Sequence, residues 1–215
     1  MGLIYSPGIV RNGLISCLDA SDINSYPGNG TTWFDISYSG NNGALINGPI
    51  FNNELKGNIT FDGVNDYVLQ SSLNPTNFTC DITFSSTASS GYIIRKINYG
   101  WGIWINSTGS ITAWVDTDTN HRSTSKVFSY SGITNIVLSF GSSTINIFKN
   151  GVLTSTTNAT TNSVYSSVNG IYIGSDGPNT GFLNGKIYSY KLYNRTLTTK
   201  ELQQNYNALK NRFGL

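Results

Sequence analysis

Short runs of alternating apolar and polar residues recur along the chain from Leu14 to Tyr193, and clusters of glycine and asparagine separate them. Alternation with a period of two places successive side chains on opposite faces of a β-strand. Many short runs of this kind are typical of an antiparallel sandwich. Charged residues make up only 11% of the chain, which disfavours exposed helical surfaces because Gly, Ser, Thr and Asn replace Lys and Glu.

The alternation predicts individual strands and two turns. The predicted strands are 14–18, 58–61, 67–70, 78–85, 92–97, 102–105, 111–115, 133–140, 144–149, 152–155, 170–173 and 182–193. Asn150 and Gly151 supply the two positive-φ residues that a type I′ hairpin turn requires. Residues 62–66, which contain Asp-Gly and Asn-Asp, predict a second turn.

One helix is predicted near the end of the chain. Thr198 and Glu201 have the spacing of a capping box, in which each side chain bonds the backbone N–H of the other residue. Apolar side chains at helical spacing follow, at Leu202, Tyr206 and Leu209, before Gly214. We expect the apolar stripe of this helix to pack against a sheet edge or the end of the sandwich.

The length of the chain is compatible with one core, so residues 10–215 are expected to form a single domain. Residues 1–9 are predicted to form an N-terminal arm that lies outside this core. The polar stretch 20–49 is predicted to be a long loop, anchored by Tyr26 and Trp33.

Charge and apolar content exclude two classes of partner. Thirteen basic and eleven acidic residues give a formal net charge of +2, and the basic residues form no run that follows phosphates, so no nucleic acid is expected. No stretch approaches the roughly 18–20 apolar residues of a membrane span. Cys17 and Cys80 lie in strand-like segments, where a free thiol is a small buried hydrophobe; a disulfide between them is the alternative.

Several motifs, taken together, resemble one family. They are Gly13-Leu14-Ile15, Leu18-Asp19-Ala20, Thr32-Trp33-Phe34-Asp35, Phe61-Asp62-Gly63-Val64-Asn65-Asp66-Tyr67-Val68, Gly185-Lys186-Ile187-Tyr188 and Glu201-Leu202-Gln203-Gln204-Asn205-Tyr206. They are similar to concanavalin A-like, laminin-G-like jelly-roll domains of phage and bacterial surface proteins. The resemblance covers nearly the whole chain. It implies an all-β, two-sheet antiparallel jelly-roll sandwich with a short C-terminal helix.

The resemblance also implies a function. Family members bind glycans or proteins, and similar domains occur in virion proteins such as tail fibres and capsid decorations. We therefore expect a non-catalytic structural protein on the exterior surface of a virion, which contacts other virion subunits and forms a homo-oligomer. A lectin-like module that recognises host-surface glycans is the alternative, and a glycoside hydrolase is a remote one.

The hydrolase alternative is disfavoured by the glutamates. Retaining glycosidases place two carboxylates about 5 Å apart, one as nucleophile and one as acid. The chain contains only Glu54 and Glu201 as glutamates, the first in a polar turn and the second in the capping box. Neither lies on a predicted strand face, so no catalytic residue is expected.

Aromatic side chains suit sugar stacking, because the ring offers a large contact area while its polar tip stays hydrated. Alternation places Tyr99 and Trp101 on one face of a predicted strand and Trp104 on the other, and packing between the sheets is the alternative for each tryptophan, Trp114 included. Residues 116–122 form a polar segment that is either a hairpin tip or a loop that contacts a ligand or binds calcium weakly. The candidate carbohydrate-binding residues are Tyr99, Trp101, Asp116, Asp118, His121 and Arg122.

No cofactor is expected. His121 has no cysteine or second histidine near it in the sequence, which leaves too few ligands for zinc. Many domains of the similar family bind calcium at one rim, and Asp62, Asn65 and Asp66 are the candidate ligands because they lie where such a site would be sought. Turn capping is the alternative role for these three residues. Their oxygen atoms make calcium the expected ion if a metal binds.

Overall fold

The computed structural model describes residues 8–88, 90–97, 100–116, 122–159, 164 and 168–215. The strands of this part are β1 (Leu14–Asp19), β2 (Thr32–Trp33), β3 (Gly43–Ile46), β4 (Ile50–Asn52), β5 (Asn58–Asp62), β6 (Tyr67–Gln70), β7 (Phe78–Ser86), β8 (Gly91–Lys96), β9 (Trp101–Ile105), β10 (Ser110–Asp116), β11 (Arg122–Ser129), β12 (Thr134–Gly141), β13 (Thr144–Lys149), β14 (Val152–Asn158), β15 (Ile171–Ile173) and β16 (Asn184–Tyr193). The helix is α1 (Thr199–Phe213), and a 3₁₀ turn covers Glu54–Lys56.

The strands form two antiparallel sheets. The first sheet has the order β14-β13-β12-β7-β16-β5-β4, and β1 pairs with the second half of β16, beyond the residues that pair with β5. The second sheet has the order β11-β10-β9-β8-β15-β6-β3-β2. Neighbours that are distant in sequence, such as β7 and β16, show that most pairings join remote parts of the chain.

The main core lies between the two sheets, where the inward side chains of both meet. Its largest fully buried side chains include Trp33, Trp101, Phe61, Phe78 and Tyr190. Inward and outward residues alternate along most of the strands, as the period of a strand requires. The expected all-β, two-sheet sandwich is confirmed.

Helix α1 covers the outer face of the first sheet. Thr198 accepts a hydrogen bond from the Glu201 backbone N–H, Glu201 bonds the Thr198 backbone in return, and Gly214 ends the helix in a left-handed conformation. Leu202 packs with Cys17, Val137 and Tyr193 of the sheet in a second apolar cluster. The predicted helix and its capping box are confirmed, but the helix packs on a face of the first sheet and not on a sheet edge or the end of the sandwich as predicted.

Residues 8–10 lie against α1 and the first sheet. The Gln204 side chain donates to the Gly8 carbonyl at 2.7 Å, and Ile9 packs beside the second cluster. Gly8 and Ile9, predicted to belong to an arm outside the core, therefore contact the domain. Residues 1–7 lie outside the described residues.

Two strands lie inside the stretch 20–49 that was predicted to be a loop. The pair is β2 and β3, and β3 also pairs with β6. Trp33 on β2 is fully buried and Leu45 on β3 is 7% exposed. Pairing and burial of these few side chains determine the strands, which are too short to produce a clear alternation.

Both cysteines are buried and free, so the alternative of a disulfide between Cys17 and Cys80 is wrong. Cys17 packs in the second cluster and Cys80 in the main core, on the two faces of the first sheet. Within the described residues, no helix is long and apolar enough to cross a membrane.

We expect Gly151→Val to lower the free energy of unfolding by about 1–3 kcal/mol. Asn150 and Gly151 have φ of 48° and 76°, which confirms the predicted turn between β13 and β14. A Cβ atom on Gly151 would lie 2.7 Å from Cδ1 of Tyr206 on α1. Urea unfolding measures the loss. The control is Gly109→Val, since Gly109 has a φ of 72° but nothing near its missing Cβ; equal losses would contradict the contact with Tyr206.

We expect Glu201→Gln to reduce the loss in the free energy of unfolding that occurs when the pH is lowered. The guanidinium of Arg195, followed by the backbone N–H of Thr198, lowers the pKa of Glu201 from 4.5 to about 2. Because the folded pKa is the lower one, the carboxylate stabilises the fold above pH 4.5 and loses this effect as the pH falls towards 2. The pair is partly exposed, so its contribution is about 1 kcal/mol. Unfolding measured at pH 6 and pH 3 should show a smaller difference in the variant.

Candidate functional site

The outer face of the second sheet carries a cluster of aromatic side chains. They are Tyr67 on β6, Tyr92 on β8, Trp104 on β9, Trp114 on β10 and Tyr172 on β15, and together with Arg95 on β8 we call them the aromatic face. Neighbouring residues on the same strands, such as Ile94, Ile103 and Ile173, lie in the main core. The strand period therefore directs the aromatic face away from the core.

The rings contact one another across the strands. Tyr92 lies 5.5 Å from Trp104 and 5.8 Å from Trp114 between ring centroids, and its plane is nearly perpendicular to that of Trp114. Tyr67 and Tyr172 form a second pair with centroids 5.5 Å apart. Such distances are those of favourable aromatic pairs. The cluster is thus a packed surface rather than a set of separate side chains.

Gly102 lets Trp114 lie close to the sheet. The two residues are direct partners between β9 and β10, and a Cβ atom on Gly102 would lie 2.3 Å from Cη2 of Trp114. Trp114 is only 2% exposed, whereas Tyr92, Trp104 and Tyr172 are partly exposed. Trp114 therefore forms the base of the aromatic face, and the other three rings are accessible.

One ion pair sets the charge of this surface. The Arg95 guanidinium lies 5.4 Å from the ring centroid of Tyr92 and 5.9 Å from that of Trp114, and it also pairs with Asp176. Its neighbour Lys96 is buried, and burial lowers the pKa of its ammonium to about 8. Its Nζ donates to Ser72 Oγ at 2.6 Å. Among the described side chains, the cation that contacts the rings is Arg95, and a carboxylate balances its charge.

Trp101 is a core residue, and its predicted role in sugar stacking is wrong. It is 1% exposed and its ring stacks on Phe78 with centroids 5.0 Å apart. Trp104 does lie on the opposite face of the same strand, as alternation predicted. The sequence pattern separated the two tryptophans correctly but did not show which of them faces the core.

The other predicted carbohydrate-binding residues are only partly described. Asp116 is 4% exposed, and its backbone N–H donates to the Gly100 carbonyl at 2.7 Å. Arg122 is its backbone partner at the start of β11. Tyr99, Asp118 and His121 lie outside the described residues.

Sequence reasoning missed Tyr92, Arg95, Tyr172 and Tyr67 as members of one surface. They come from strands β8, β15 and β6, which are neighbours in the sheet but remote in sequence. A register shift between Tyr92 and Ile94 also interrupts the simple alternation of β8. The three tyrosines are recognisable as aromatic residues in the sequence, yet only the strand order shows that they lie on one surface with Arg95.

Two of the three candidate calcium ligands, Asp62 and Asp66, cap a turn between β5 and β6, and Asn65 lies in the same turn and donates its backbone N–H to Asp62. Asp62 Oδ1 accepts from the backbone N–H of Val64 at 2.8 Å, and Asp66 Oδ2 accepts from the backbone N–H of Asp62 at 3.1 Å. Burial raises the pKa of Asp66. Among the described residues, no group of three or more His, Cys, Asp or Glu is placed to hold a metal ion.

We expect EDTA to leave the melting temperature unchanged, because the carboxylates of Asp62 and Asp66 already accept backbone hydrogen bonds. A ligand that binds only the folded state raises its stability by mass action, so a bound metal would reveal itself in this test. Scanning calorimetry with EDTA and then with excess calcium measures it. A calcium-dependent rise that Asp62→Asn abolishes would contradict the expectation.

Comparisons with known proteins agree with this architecture. No curated protein sequence matches the chain. Among solved structures, the binding domain of Paraclostridial Mosquitocidal Protein 1 superposes with a TM-score of 0.76 and 12% identity over 94% of this chain and 53% of its own. The botulinum neurotoxin serotype D binding domain gives 0.71 and 14% over 92% and 52%. Trypanosoma rangeli sialidase in complex with sialic acid gives 0.68 and 14% over 92% and 33%.

This chain therefore spans about half or less of the chains that it matches, and identities of this size show a shared fold alone. They confirm the jelly-roll sandwich. A family model described as the concanavalin A-like lectin/glucanases superfamily matches residues 61–203, which is about two thirds of the 215 residues. The chain belongs to the concanavalin A-like lectin/glucanases superfamily.

Proposed function

We propose that this protein is a non-catalytic carbohydrate-binding module that holds glycans on the aromatic face. The observation that carries the proposal is the row of partly exposed rings, Tyr92, Trp104 and Tyr172, on the outer surface of the second sheet. Large aromatic surfaces that remain outside a core mark interaction sites. Sugar rings present C–H faces that stack on aromatic rings, while Arg95 and the tyrosine hydroxyls supply hydrogen bonds.

Similar structures support a glycan as the ligand. One is a sialidase in complex with sialic acid, and another is the binding domain of botulinum neurotoxin DC in complex with SialylT. Because the identities are 14% and 15%, they suggest the ligand class only, and the argument depends on the aromatic face itself.

The glutamates support binding without catalysis. Glu54 is paired with Lys186 beside the first sheet, and Glu201 is held by Arg195 and Thr198 at the start of α1. Neither lies on the aromatic face. Glycoside hydrolysis needs a positioned acid and a second carboxylate. Asp176, which does reach this face, already pairs with Arg95.

A glycan array followed by calorimetric titration of the best ligand tests the proposal. We expect Trp104→Ala to reduce affinity by about tenfold, the equivalent of one lost stacking contact. The matched control is Tyr38→Ala, because Tyr38 is an aromatic side chain, 93% exposed, outside the aromatic face. The proposal fails if no glycan binds, or if the two variants weaken binding equally.

A second candidate function is contact with other subunits, which the edge of the first sheet favours. Strand β14 ends this sheet, contains no charged residue and exposes Val152 at 65% and Leu153 at 51%. Unprotected edges pair with other chains. The resemblance to phage proteins suggests the exterior of a virion as the setting and a homo-oligomer as the assembly.

Two measurements test this second candidate: co-sedimentation of the protein with virion particles, and size-exclusion chromatography, which gives its oligomeric state. Leu153→Lys should weaken association because a charge protects a sheet edge. Val64→Lys is the control, since Val64 is exposed at 68% in the turn between β5 and β6, away from that edge. Association that is equally strong in both variants would exclude β14 as the contact.

A further inference from the structure

We propose that the aromatic face binds an uncharged oligosaccharide of several sugar units, which lies across strands β9, β8 and β15. This inference rests on the proposed function, because it specifies the ligand of the same surface. It depends on three features of the described residues: the extent of the ring surface, its division into two pairs, and the pairing of Arg95.

The extent is set by the strand order. The partly exposed rings Trp104, Tyr92 and Tyr172 lie on three successive strands of the second sheet, β9, β8 and β15. Strands in a sheet are about 4.8 Å apart, so the two spacings from β9 to β15 span about 10 Å. A surface of this length exceeds one sugar ring. A single terminal sugar would leave part of it without contact.

The rings form two stacking positions that Arg95 joins. Tyr92 pairs with Trp104, and the partly exposed Tyr172 pairs with Tyr67, which is buried and supports it. Arg95 lies over the Tyr92 ring, and its backbone is the direct partner of Tyr172 in the adjacent strand. A chain that stacks on the first pair therefore reaches the second pair by passing over Arg95. Its hydroxyl groups can accept hydrogen bonds from the guanidinium there.

The charge of the surface favours a neutral chain. A carboxylated sugar such as sialic acid needs a cation, and Arg95, the cation that contacts these rings among the described side chains, is already paired with Asp176. An acidic ligand would have to compete with this carboxylate and would lie close to it, which costs electrostatic energy. Hydroxyl groups carry no such cost. A neutral backbone is therefore the ligand class that the surface fits.

The test is a series of immobilised neutral chains of glucose, galactose, mannose and N-acetylglucosamine, graded from one to six units, each with and without terminal sialic acid. For the sugar that binds, we expect affinity to rise by about tenfold from one unit to four and then to level off, as a second stacking position becomes filled. Sialic acid should give no increase.

Two variants assign the gain to the second ring pair. Tyr172→Ala should keep the affinity for one unit and lose the gain with length, whereas Tyr172→Phe, which keeps the ring, should retain it. Circular dichroism should be used to check that both variants are folded. A glycan that binds with equal affinity at every length, or at least tenfold more tightly when sialylated, would overturn this inference and leave the proposed function intact. Absence of binding to any glycan would overturn both.

Discussion

Replacing Asp81 by alanine is expected to lower the free energy of unfolding by about 3–5 kcal/mol, the usual cost of removing one partner from a buried ion pair. Asp81 on β7 and Lys191 on β16 are direct partners in the first sheet, and Asp81 Oδ2 lies 3.5 Å from Lys191 Nζ. Their side chains are only 2% and 1% exposed. The variant would leave the ammonium buried without its carboxylate. Urea unfolding followed by circular dichroism measures the loss.

The loss is expected to be large because Asp81 also anchors amide side chains. Asn135 Nδ2 donates to Asp81 Oδ1 at 2.8 Å, and Asn205 Nδ2 of α1 lies 3.4 Å from Asp81 Oδ2. Asn205 also binds residue 10, because the Val10 backbone N–H donates to Asn205 Oδ1 at 2.8 Å. The carboxylate thus links β7, β12, the helix and residue 10. Leaving a buried polar group without its hydrogen-bond partner costs more free energy than the net contribution of that hydrogen bond to stability.

A double variant separates the ion pair from the rest of the site. Asp81→Leu with Lys191→Met removes both charges and keeps similar volumes, so it should recover most of the stability lost in Asp81→Ala. The two asparagines lose an acceptor in both proteins, which makes the comparison matched. If Asp81→Ala costs less than about 1 kcal/mol, as an exposed pair would, water already reaches the ammonium.

Asp81 and Asn205 also show where sequence reasoning stops. The single aspartate of β7 and one of the three asparagines of the helix carry no local signal of burial. The two residues, Asp81 and Asn205, are 124 residues apart along the chain. The capping box of α1, in contrast, was predictable because Thr198 and Glu201 are three residues apart and bond each other's backbone. Local patterns are visible in a sequence, whereas remote polar contacts are not.

The same distinction applies to the strands. Long runs with clear alternation, such as β7, β12 and β13, were predicted within one or two residues. Strand β11 was missed because its sequence, RSTSKVFS, is rich in serine and has little apolar alternation. It exists by pairing with β10, to which it is bonded along most of its length. Tertiary pairing can impose a strand that intrinsic preference does not indicate.

Trp101→Ala is expected to lower the free energy of unfolding by about 3–5 kcal/mol, because it opens a large cavity in a close-packed core. Trp101 lies in the main cluster between the sheets and stacks on Phe78 of β7. Trp104→Ala, three residues along the same strand, is the matched comparison. Its ring is partly exposed, so its removal should cost less than about 1 kcal/mol.

Stability and glycan affinity should be measured on both variants, and we expect the variant that loses more stability to lose less affinity. Trp101→Ala should unfold at much lower urea concentration but, below its transition, bind like the unmodified protein. Trp104→Ala should melt almost normally and bind weakly, since it removes one ring of the exposed pair with Tyr92. If Trp101→Ala abolished binding while the domain stayed folded, the sugar would lie nearer the core side of β9. The assignment of the two faces of this strand would then be wrong.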